Sequence, residues 1–448
     1  MAPPSVAIVG GGASGALTAI HLLRLARATA TPLTVTLIDQ DGRHALGQAY
    51  STTDPHHLLN TRVERMSALD DDPDHLRAWA RTAGVHAYDY LPRAVYGRYL
   101  REVLAASEDP PERTLHRVTG TAVALDPGHA VRLSDGRRVE AGAVVLALGN
   151  RRPAPLPGVP AHPRHIPDPW APGALDGIAD GAPVLVVGTG LTMVDIALTV
   201  TRAHPDTVVH ALSRHALLPR PHLIRPALPV PVAFPGGPLR VADLLAVTRR
   251  AFRASGGDWQ GVVEGLRPQV QDLWRRLSLA ERRLFLRRVA RYWEIHRHRI
   301  PPASAYTLDE LRAAGRLRLL RGSLAGAEPS PAGLRVHADL DGATTALDVG
   351  WVVNATGPGT DITADPFLAS LVTAGVARPD PLGLGLDAAP DGAVLDASGR
   401  PASRLFAIGP LLRGILYEST AVPEIRSQAA ALAPRLLETA ALPTQSVA

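Results

Sequence analysis

The chain has 448 residues, 46% of them hydrophobic and 20% charged, enough for two or three domains with cores of their own. It contains no cysteine and no lysine, which excludes disulfides, thiolate-held metals, iron–sulfur ligation, a dithiol redox centre, a Schiff-base lysine and a P-loop lysine. The formal charge of +5 leans toward anionic ligands, but no arginine run is interleaved with aromatics, so nucleic-acid binding is not expected.

Residues 6–9 are a short apolar, β-branched run and read as a buried parallel strand. Gly10, Gly12 and Gly15 follow at G-x-G-x-x-G spacing. Residues 16–27 read as a helix with Leu17, Ile20 and Leu23 on one face, and residues 35–38 as a second strand with Asp39 at its tip. Each part has a physical task. Gly10 allows the tight turn, Gly12 lets a pyrophosphate approach the backbone, and Gly15 lets helix and strand pack closely. The helix N-terminus supplies oriented N–H groups, and Asp39 can accept from ribose hydroxyls. A glycine turn in some other α/β protein is the plainer alternative, but here the whole βαβ context is present. A dinucleotide site is expected, and its place at the start of a long chain associates it with FAD.

The apolar helix ending near Ala28 lacks a basic leader and is broken by the glycine turn, so it is not read as a signal peptide. Residues 182–200 are apolar, but carry Gly188, Gly190 and Asp195 and read as strand, turn and helix rather than a membrane span. A soluble, cytoplasmic protein without a membrane partner is expected.

Residues 40–59 read as a loop, 75–81 as a short helix, and 96–105 as a helix with Tyr96, Leu100 and Leu104 on one face. Residues 117–133, with turns at 126–128 and 134–136, read as a small β-meander. Residues 143–148 are a buried strand ending at Gly149. Pro153, Pro155, Pro157 and Pro160 mark a stiff linker and the first domain boundary.

The opening unit then recurs. Residues 184–187 are a strand, Gly188-Thr189-Gly190-Leu191-Thr192-Met193 the turn, 194–202 the helix and 208–212 the next strand. Met193 replaces the third glycine, so the unit reads as a nucleotide site or as a relic of one. Ser213 and Arg214 stand where Asp39 stands in the first unit. With no acid to repel a 2′-phosphate and an arginine to grip it, the expected nucleotide is NADPH. The plainer reading of Arg214 is a solvated strand end.

Residues 219–238 are proline-rich and 239–299 helical. Ser278-x-x-Glu281 reads as a capping box opening a helix with Leu284, Phe285, Val289 and Trp293 toward a core, and Arg282, Arg283, Arg287 and Arg291 elsewhere. The run YWEIHRHRI at 292–300 is expected to end at Pro301-Pro302. Its His and Arg side chains suit an anion or a solvated basic face, while His296 and His298 cannot share a helix face as metal ligands. Residues 317–349 form a second meander, 351–355 a strand ending toward Gly357, and about 422–438 a final helix after Tyr417-Glu418-Ser419-Thr420. That helix N-terminus suits the negative end of a reduced flavin.

Together these stretches resemble a group of flavoproteins with two dinucleotide-binding domains, the family that contains FAD-dependent urate hydroxylase and aspartate N-monooxygenase. The resemblance rests on VGGGASG at 9–15, HLLNTRVERMSA at 57–68, LPRAVYGRYL at 91–100, VGTGLTMVDIAL at 187–198, ALSRHALLPRPH at 211–222, WEIHRHRIPP at 293–302 and VVNATGPG at 352–359. LFAIGPLLRG and YESTAVPEIRSQA within 405–429 complete it. Gly409-Pro410 stands where many flavoproteins of this fold have Gly-Asp.

The resemblance implies an α/β fold with two Rossmann-like domains, an NADPH domain inserted in an FAD domain, plus a helical segment. The expected boundaries are 1–150 and 358–448 for FAD, 151–235 and 316–357 for NAD(P)H, and 236–315 for the helical insertion. The residues expected at FAD are Gly10, Gly12, Ala13, Ser14, Gly15, Asp39, Gln40, Asn60, Thr61, Arg62, Met66, Val123, Gly149, Gly409 and Thr420. Those expected at NADPH are Gly188, Thr189, Gly190, Leu191, Thr192, Ser213 and Arg214. Arg62, Arg297, His298, Arg299 and Tyr417 are candidates to hold a small-molecule substrate. No metal ligand and no catalytic side chain is assigned, because the flavin carries the chemistry.

The expected activity is FAD- and NADPH-dependent monooxygenation with O2 through a flavin C4a-hydroperoxide, foremost N-hydroxylation of an amine or amino acid. Hydroxylation of a purine-like carbon, a non-oxygenating reductase or oxidase, and a nucleotide sensor are the alternatives.

Overall fold

Each glycine turn leaves the C-terminal end of an interior strand of its own sheet. The computed structural model describes residues 3–81, 84–86, 89–126 and 128–442, so Pro127 of the expected 126–128 turn lies outside the described residues.

The first unit is β1 (Ser5–Val9), α1 (Ala13–Ala28) and β2 (Leu33–Asp39). Helices α2 (His75–Ala80) and α3 (Arg93–Ala106) follow. The α3 side chains Tyr96, Leu100 and Leu104 share one core with Leu17, Ile20 and Leu23 of α1, as their helical spacing requires. β3 (Arg113–Thr119) then lies parallel to β2. The expected 117–133 meander therefore starts too early, because the first part of that alternation is a main-sheet strand. The meander itself is β4 (Ala122–Leu125), β5 (Val131–Leu133) and β6 (Arg138–Val139). β7 (Ala143–Leu146) returns to the main sheet beside β1.

Beyond the prolines come β8 (His165–Ile166), β9 (Val184–Val187), α4 (Leu191–Ala203) and β10 (Val209–Ser213). Five helices follow: α5 (Val241–Ala254), α6 (Trp259–Leu266), α7 (Val270–Arg276), α8 (Leu279–Arg288) and α9 (Ala290–Arg297). After α10 (Pro302–Ala313), β11 (Leu317–Ser330) joins the second sheet beside β10 and then bends into antiparallel pairing with β12 (Gly333–Leu340). β13 (Ala343–Val349) and β14 (Trp351–Asn354) complete it. The chain ends with α11 (Pro366–Thr373), β15 (Ala393–Leu395), β16 (Pro401–Ala407) and α12 (Val422–Ala441).

The sheets run β15-β16-β7-β1-β2-β3 and β13-β12-β11-β10-β9-β14-β8. The first thus joins strands before residue 150 to strands after 390, and the second holds strands between them. The fold is α/β with two Rossmann-like units and a helical segment. The crossings at 151–152 and 359–360 are tied together: Arg151 donates to the carbonyls of Gly359 and Thr360, and Gly359 N–H to that of Arg152. Among the described residues no helix is long and apolar enough to cross a membrane.

Three local expectations change. Ser278 accepts from Glu281 N–H at 3.3 Å, but the Glu281 carboxylate accepts from Val241 N–H at 2.6 Å, capping α5 instead of completing its own box. The expected single helix also breaks between α8 and α9, at Val289. Pro301-Pro302 does not stop a helix. α9 ends at Arg297, and Pro302 occupies the first position of α10, where its missing N–H costs no hydrogen bond.

Candidate functional site at the junction of two glycine turns

The two turns repeat one geometry. Gly10 and Gly188 have φ of +109° and +120°, and a Cβ on either would strike the carbonyl of Ala147 or Ala355 on the neighbouring strand. α1 and α4 open on Gly12 and Gly190 with no side-chain cap and no acid in the first turn. Their leading N–H groups are thus left for an anion, the chemistry a pyrophosphate needs. Gly12 lies against Gly47, its Cβ position 3.3 Å from Gly47 Cα. A Cβ on Gly15 would strike the Gly10 carbonyl, so glycine is required there. Met193 takes the equivalent place in the second unit with its side chain wholly buried in the core beneath α4.

Around the first turn, Ala13 and Ser14 begin α1. Gly409, at φ +73°, lies where a Cβ would come 2.6 Å from Ser14 Oγ, and its N–H donates to Gln428 at 3.1 Å. Asp39 is partly committed: Oδ1 accepts from the N–H groups of Asp41 and Arg43 at 3.1 and 2.9 Å. Gln40 is exposed beside Asp41. Val123 is half-buried in β4, Gly149 (φ +67°) follows β7, and Thr420 precedes α12. The Met66 side chain belongs to the apolar core, so only its backbone is placed to meet a ligand.

Around the second turn, Leu191 and Thr192 begin α4. The Thr189 hydroxyl is 2.9 Å from Ser213 Oγ and donates to the Leu217 carbonyl at 2.7 Å. Arg291, expected off the core face, donates to Thr189 Oγ1 at 3.1 Å and to the Leu217 carbonyl at 2.9 Å. Burial lowers its pKa, Glu294 offsets part of that, and the nearby Arg214 charge adds to it. Arg214 itself is exposed. Two guanidinium groups thus approach one turn, an arrangement an anion relieves. Sequence periodicity over one continuous helix places Arg291 off the core face without a partner assigned, whereas the break at Val289 puts it on a separate helix, α9.

Between the units lies a small cavity of about 30 Å³. Asn60, Thr61, Arg62, Glu64 and Arg65 of the first unit, His222, Pro226 and Ala227 of the loop after β10, and Gln260, Glu264, Arg267, Arg297 and Arg299 of the helical region line it. Five guanidinium groups face two carboxylates on that wall. Arg62 is buried and donates to the carbonyls of Leu223 and, at 3.2 Å, Ile224, with its guanidinium 5.6 Å from the centre of the Tyr90 ring.

Because α9 stops at Arg297, both Arg297 and Arg299 reach this cavity, which an unbroken helix would forbid. Both are already paired. Arg297 meets Glu424 at 2.9 Å and Glu418 at 3.3 Å, while Arg299 meets Gln260 at 2.7 Å and Glu264. Burial opposes charge on Glu264, yet Arg267, Arg65 and Arg299 outweigh it and hold the carboxyl at about 2. These arginines are braced members of a buried ion network rather than free anion hooks.

Two of the substrate candidates lie off the cavity wall. Tyr417 does not line the cavity: its ring is buried, stacked on Trp274 at 4.6 Å and edge-on to Phe285. His298 does not line it either. Its burial, with Arg297 adjacent, pushes its pKa down to about 4. A larger groove, about 470 Å³, lies between His56 and Leu58 and helices α4 and α10, away from either glycine turn.

A family model described as FAD-NAD(P)-binding matches residues 7–151. L-aspartate N-monooxygenase (nitrosuccinate-forming) from Streptomyces cremeus is 39% identical over 154 residues, 30% of this chain and 22% of that protein. The match thus spans under a quarter of that relative's length. L-lysine 6-monooxygenase from Pseudomonas syringae superposes with a TM-score of 0.66 at 16% identity, covering 98% of this chain and 100% of the other. An ornithine N-hydroxylase from Kutzneria sp. 744, with reduced FAD, NADP+ and L-ornithine, gives a TM-score of 0.64 at 16% identity, covering 97% and 99%. At such identities the likeness is one of fold.

Proposed function

We propose that this chain is an FAD- and NADPH-dependent monooxygenase that hydroxylates the amine nitrogen of a small acidic amino acid. The observation that carries the reading is the arginine-lined cavity formed by the first unit, the loop after β10 and the helical region, in a chain with two repeated glycine turns. The aspartate-hydroxylating relative, matched over 154 residues, supports the acidic substrate class. In this reading residues 1–150 and 358–448 hold FAD, 151–235 and 316–357 hold NADPH, and 236–315 close the cavity.

The open α1 N-terminus, Gly12 and Ser14 take the FAD pyrophosphate, and the remaining acceptor capacity of Asp39 takes the ribose. The α4 N-terminus takes the NADPH pyrophosphate, with Arg214 and Arg291 at its 2′-phosphate. Bound FAD would supply an activated oxygen atom from O2, with NADPH as the reductant. One oxygen ends on the amine nitrogen in place of hydrogen, the other leaves as water, and NADPH gives the electron pair.

The protein's own share is to bind, orient and exclude water. A cavity of about 30 Å³ holds one or two waters. In this reading an amino acid enters when the loop at 223–230, just past the anchored His222, shifts away from Arg62, which grips the Leu223 and Ile224 carbonyls. In this reading the Arg62 guanidinium meets the substrate carboxylate. NADPH and substrate are met in the cytoplasm in this reading.

The test is substrate-dependent NADPH oxidation across acidic amino acids, other amines and purines, with product mass. N-hydroxylated acidic amino acid supports the reading. NADPH oxidation that yields only hydrogen peroxide with every compound contradicts it.

A further inference from the structure

We propose that His222 holds the substrate's unprotonated amine through its Nδ1 atom, a role that rests on the N-hydroxylation reading above. His222 sits on the cavity wall, in the loop after β10. Its backbone N–H donates to the Ile300 carbonyl at 2.9 Å, and its ring Nε2 lies 3.0 Å from the Asn60 carbonyl. A carbonyl oxygen can only accept, so Nε2 carries the hydrogen. In the neutral ring the lone pair is then on Nδ1, which has no hydrogen-bond partner among the described residues.

The surroundings keep the ring neutral. Burial is the largest cause, and the Arg299 and Arg62 charges add to it, bringing the pKa down to about 3. The groups facing the ring are Arg62 and Asn60 of the first unit, Tyr90 at 5.4 Å between ring centres, Arg299 after α9 and Glu264 of α6.

Acceptors are scarce on a wall of guanidinium donors. Glu264 is taken by Arg65, Arg267 and Arg299. Gln260 accepts from Arg299 and from Leu223 N–H. Asn60, Thr61 and Glu64 remain on the wall beside His222, whose Nδ1 is unpaired among the described residues. The Glu64 carboxylate would favour an ammonium. A neutral nitrogen flanked by Arg62 and Arg299 instead disfavours an ammonium and accepts from a neutral amine.

That selection is what N-oxygenation requires. An ammonium has no lone pair to receive oxygen. A neutral amine that gives one N–H to Nδ1 keeps its lone pair free. No bond is made or broken at His222, and a ring with so low a pKa does not remove the proton itself; the amine sheds it to solvent before binding.

The experiment uses the holoenzyme, L-aspartate as probe, and two variants. His222→Gln keeps a donor near the Nε2 position for Asn60 but lacks the Nδ1 acceptor. His222→Asn keeps an acceptor near the Nδ1 position. Calorimetric titration of L-aspartate should show His222→Gln about tenfold weaker than the parent, equivalent to ~1.4 kcal/mol. His222→Asn should recover part of that loss, and both should retain full flavin. Parent affinity should also improve as pH rises toward the amine's own pKa, because only the neutral amine binds. Equal affinity in parent and His222→Gln, or parent affinity independent of pH between 6 and 9, overturns the role of His222 alone. Equal loss in both variants with loss of flavin assigns His222 to structure and also overturns it. A parent that hydroxylates no amine overturns both this role and the reading beneath it.

Discussion

Arg93, the first residue of α3, places its guanidinium 2.7 Å from the carboxylate of Asp195 in the middle of α4, bolting the first nucleotide unit to the second. Arg93 also donates to the Leu58 carbonyl at 3.3 Å and lies 5.3 Å from the centre of the Trp170 ring. The contact continues through Thr199, which donates to Asp54 at 2.6 Å and stands 2.9 Å from His57 Nε2.

Arg93→Ala leaves Asp195 buried without its cation, a change that costs about 3–5 kcal/mol when the group stays charged. Burial already raises the Asp195 pKa above its ordinary 3.8, and losing Arg93 raises it further. A carboxyl raised in the folded state gives up stability as pH rises through its folded value. The variant should therefore match the parent most closely below pH 3.8 and fall behind as pH rises. Asp195→Asn in the same chain should remove that pH dependence. Thermal melts across pH measure it, and parallel curves for parent and Arg93→Ala would refute the coupling.

Gly12→Asp should empty the FAD site. Gly12 caps α1, and a carboxylate there would face the pyrophosphate and cap the N–H groups meant for it. Flavin absorbance per polypeptide is the readout. Full flavin in the folded variant would show that this turn does not hold it.

Arg214→Ala and Arg291→Ala should each raise KM for NADPH far more than for NADH. One charge-assisted contact to the 2′-phosphate is worth about 1.5–3 kcal/mol, or roughly ten- to a hundred-fold. Equal effects on both cofactors would show that neither arginine reads the phosphate.

Arg297→Ala and Arg299→Ala should behave as structural losses. Removing Arg297 leaves Glu418 without its arginine and Glu424 with Arg267 alone, and removing Arg299 frees one side of Glu264. Loss of about 3–5 kcal/mol on breaking a buried pair should lower the melting temperature of each. A rise in substrate KM with unchanged melting temperature would make them direct substrate ligands instead.

Much of this was legible because it is local. Gly10, Gly12 and Gly15 stand between an apolar strand and an amphipathic helix within thirty-odd residues, so spacing alone implies the turn. The repeat at Gly188 and Gly190 is legible for the same reason. The cavity was only half legible. Arg62, Arg297 and Arg299 were picked by charge, but Glu264, Glu418 and Glu424, which pair with the two later arginines, lie 35 to 127 residues away in sequence, and no periodicity links them. His222 and Arg291 were missed. One sits in a proline-rich loop without periodicity, and the other follows a helix break that no glycine or proline marks.

The central claim is oxygen transfer to an amine nitrogen. Its most direct measurement is isotopically labelled O2 supplied to the FAD-loaded enzyme with NADPH and L-aspartate, followed by mass spectrometry of the product. One labelled oxygen on the amino nitrogen is expected for each NADPH consumed. Label recovered only in hydrogen peroxide or water, with L-aspartate unchanged, would contradict it.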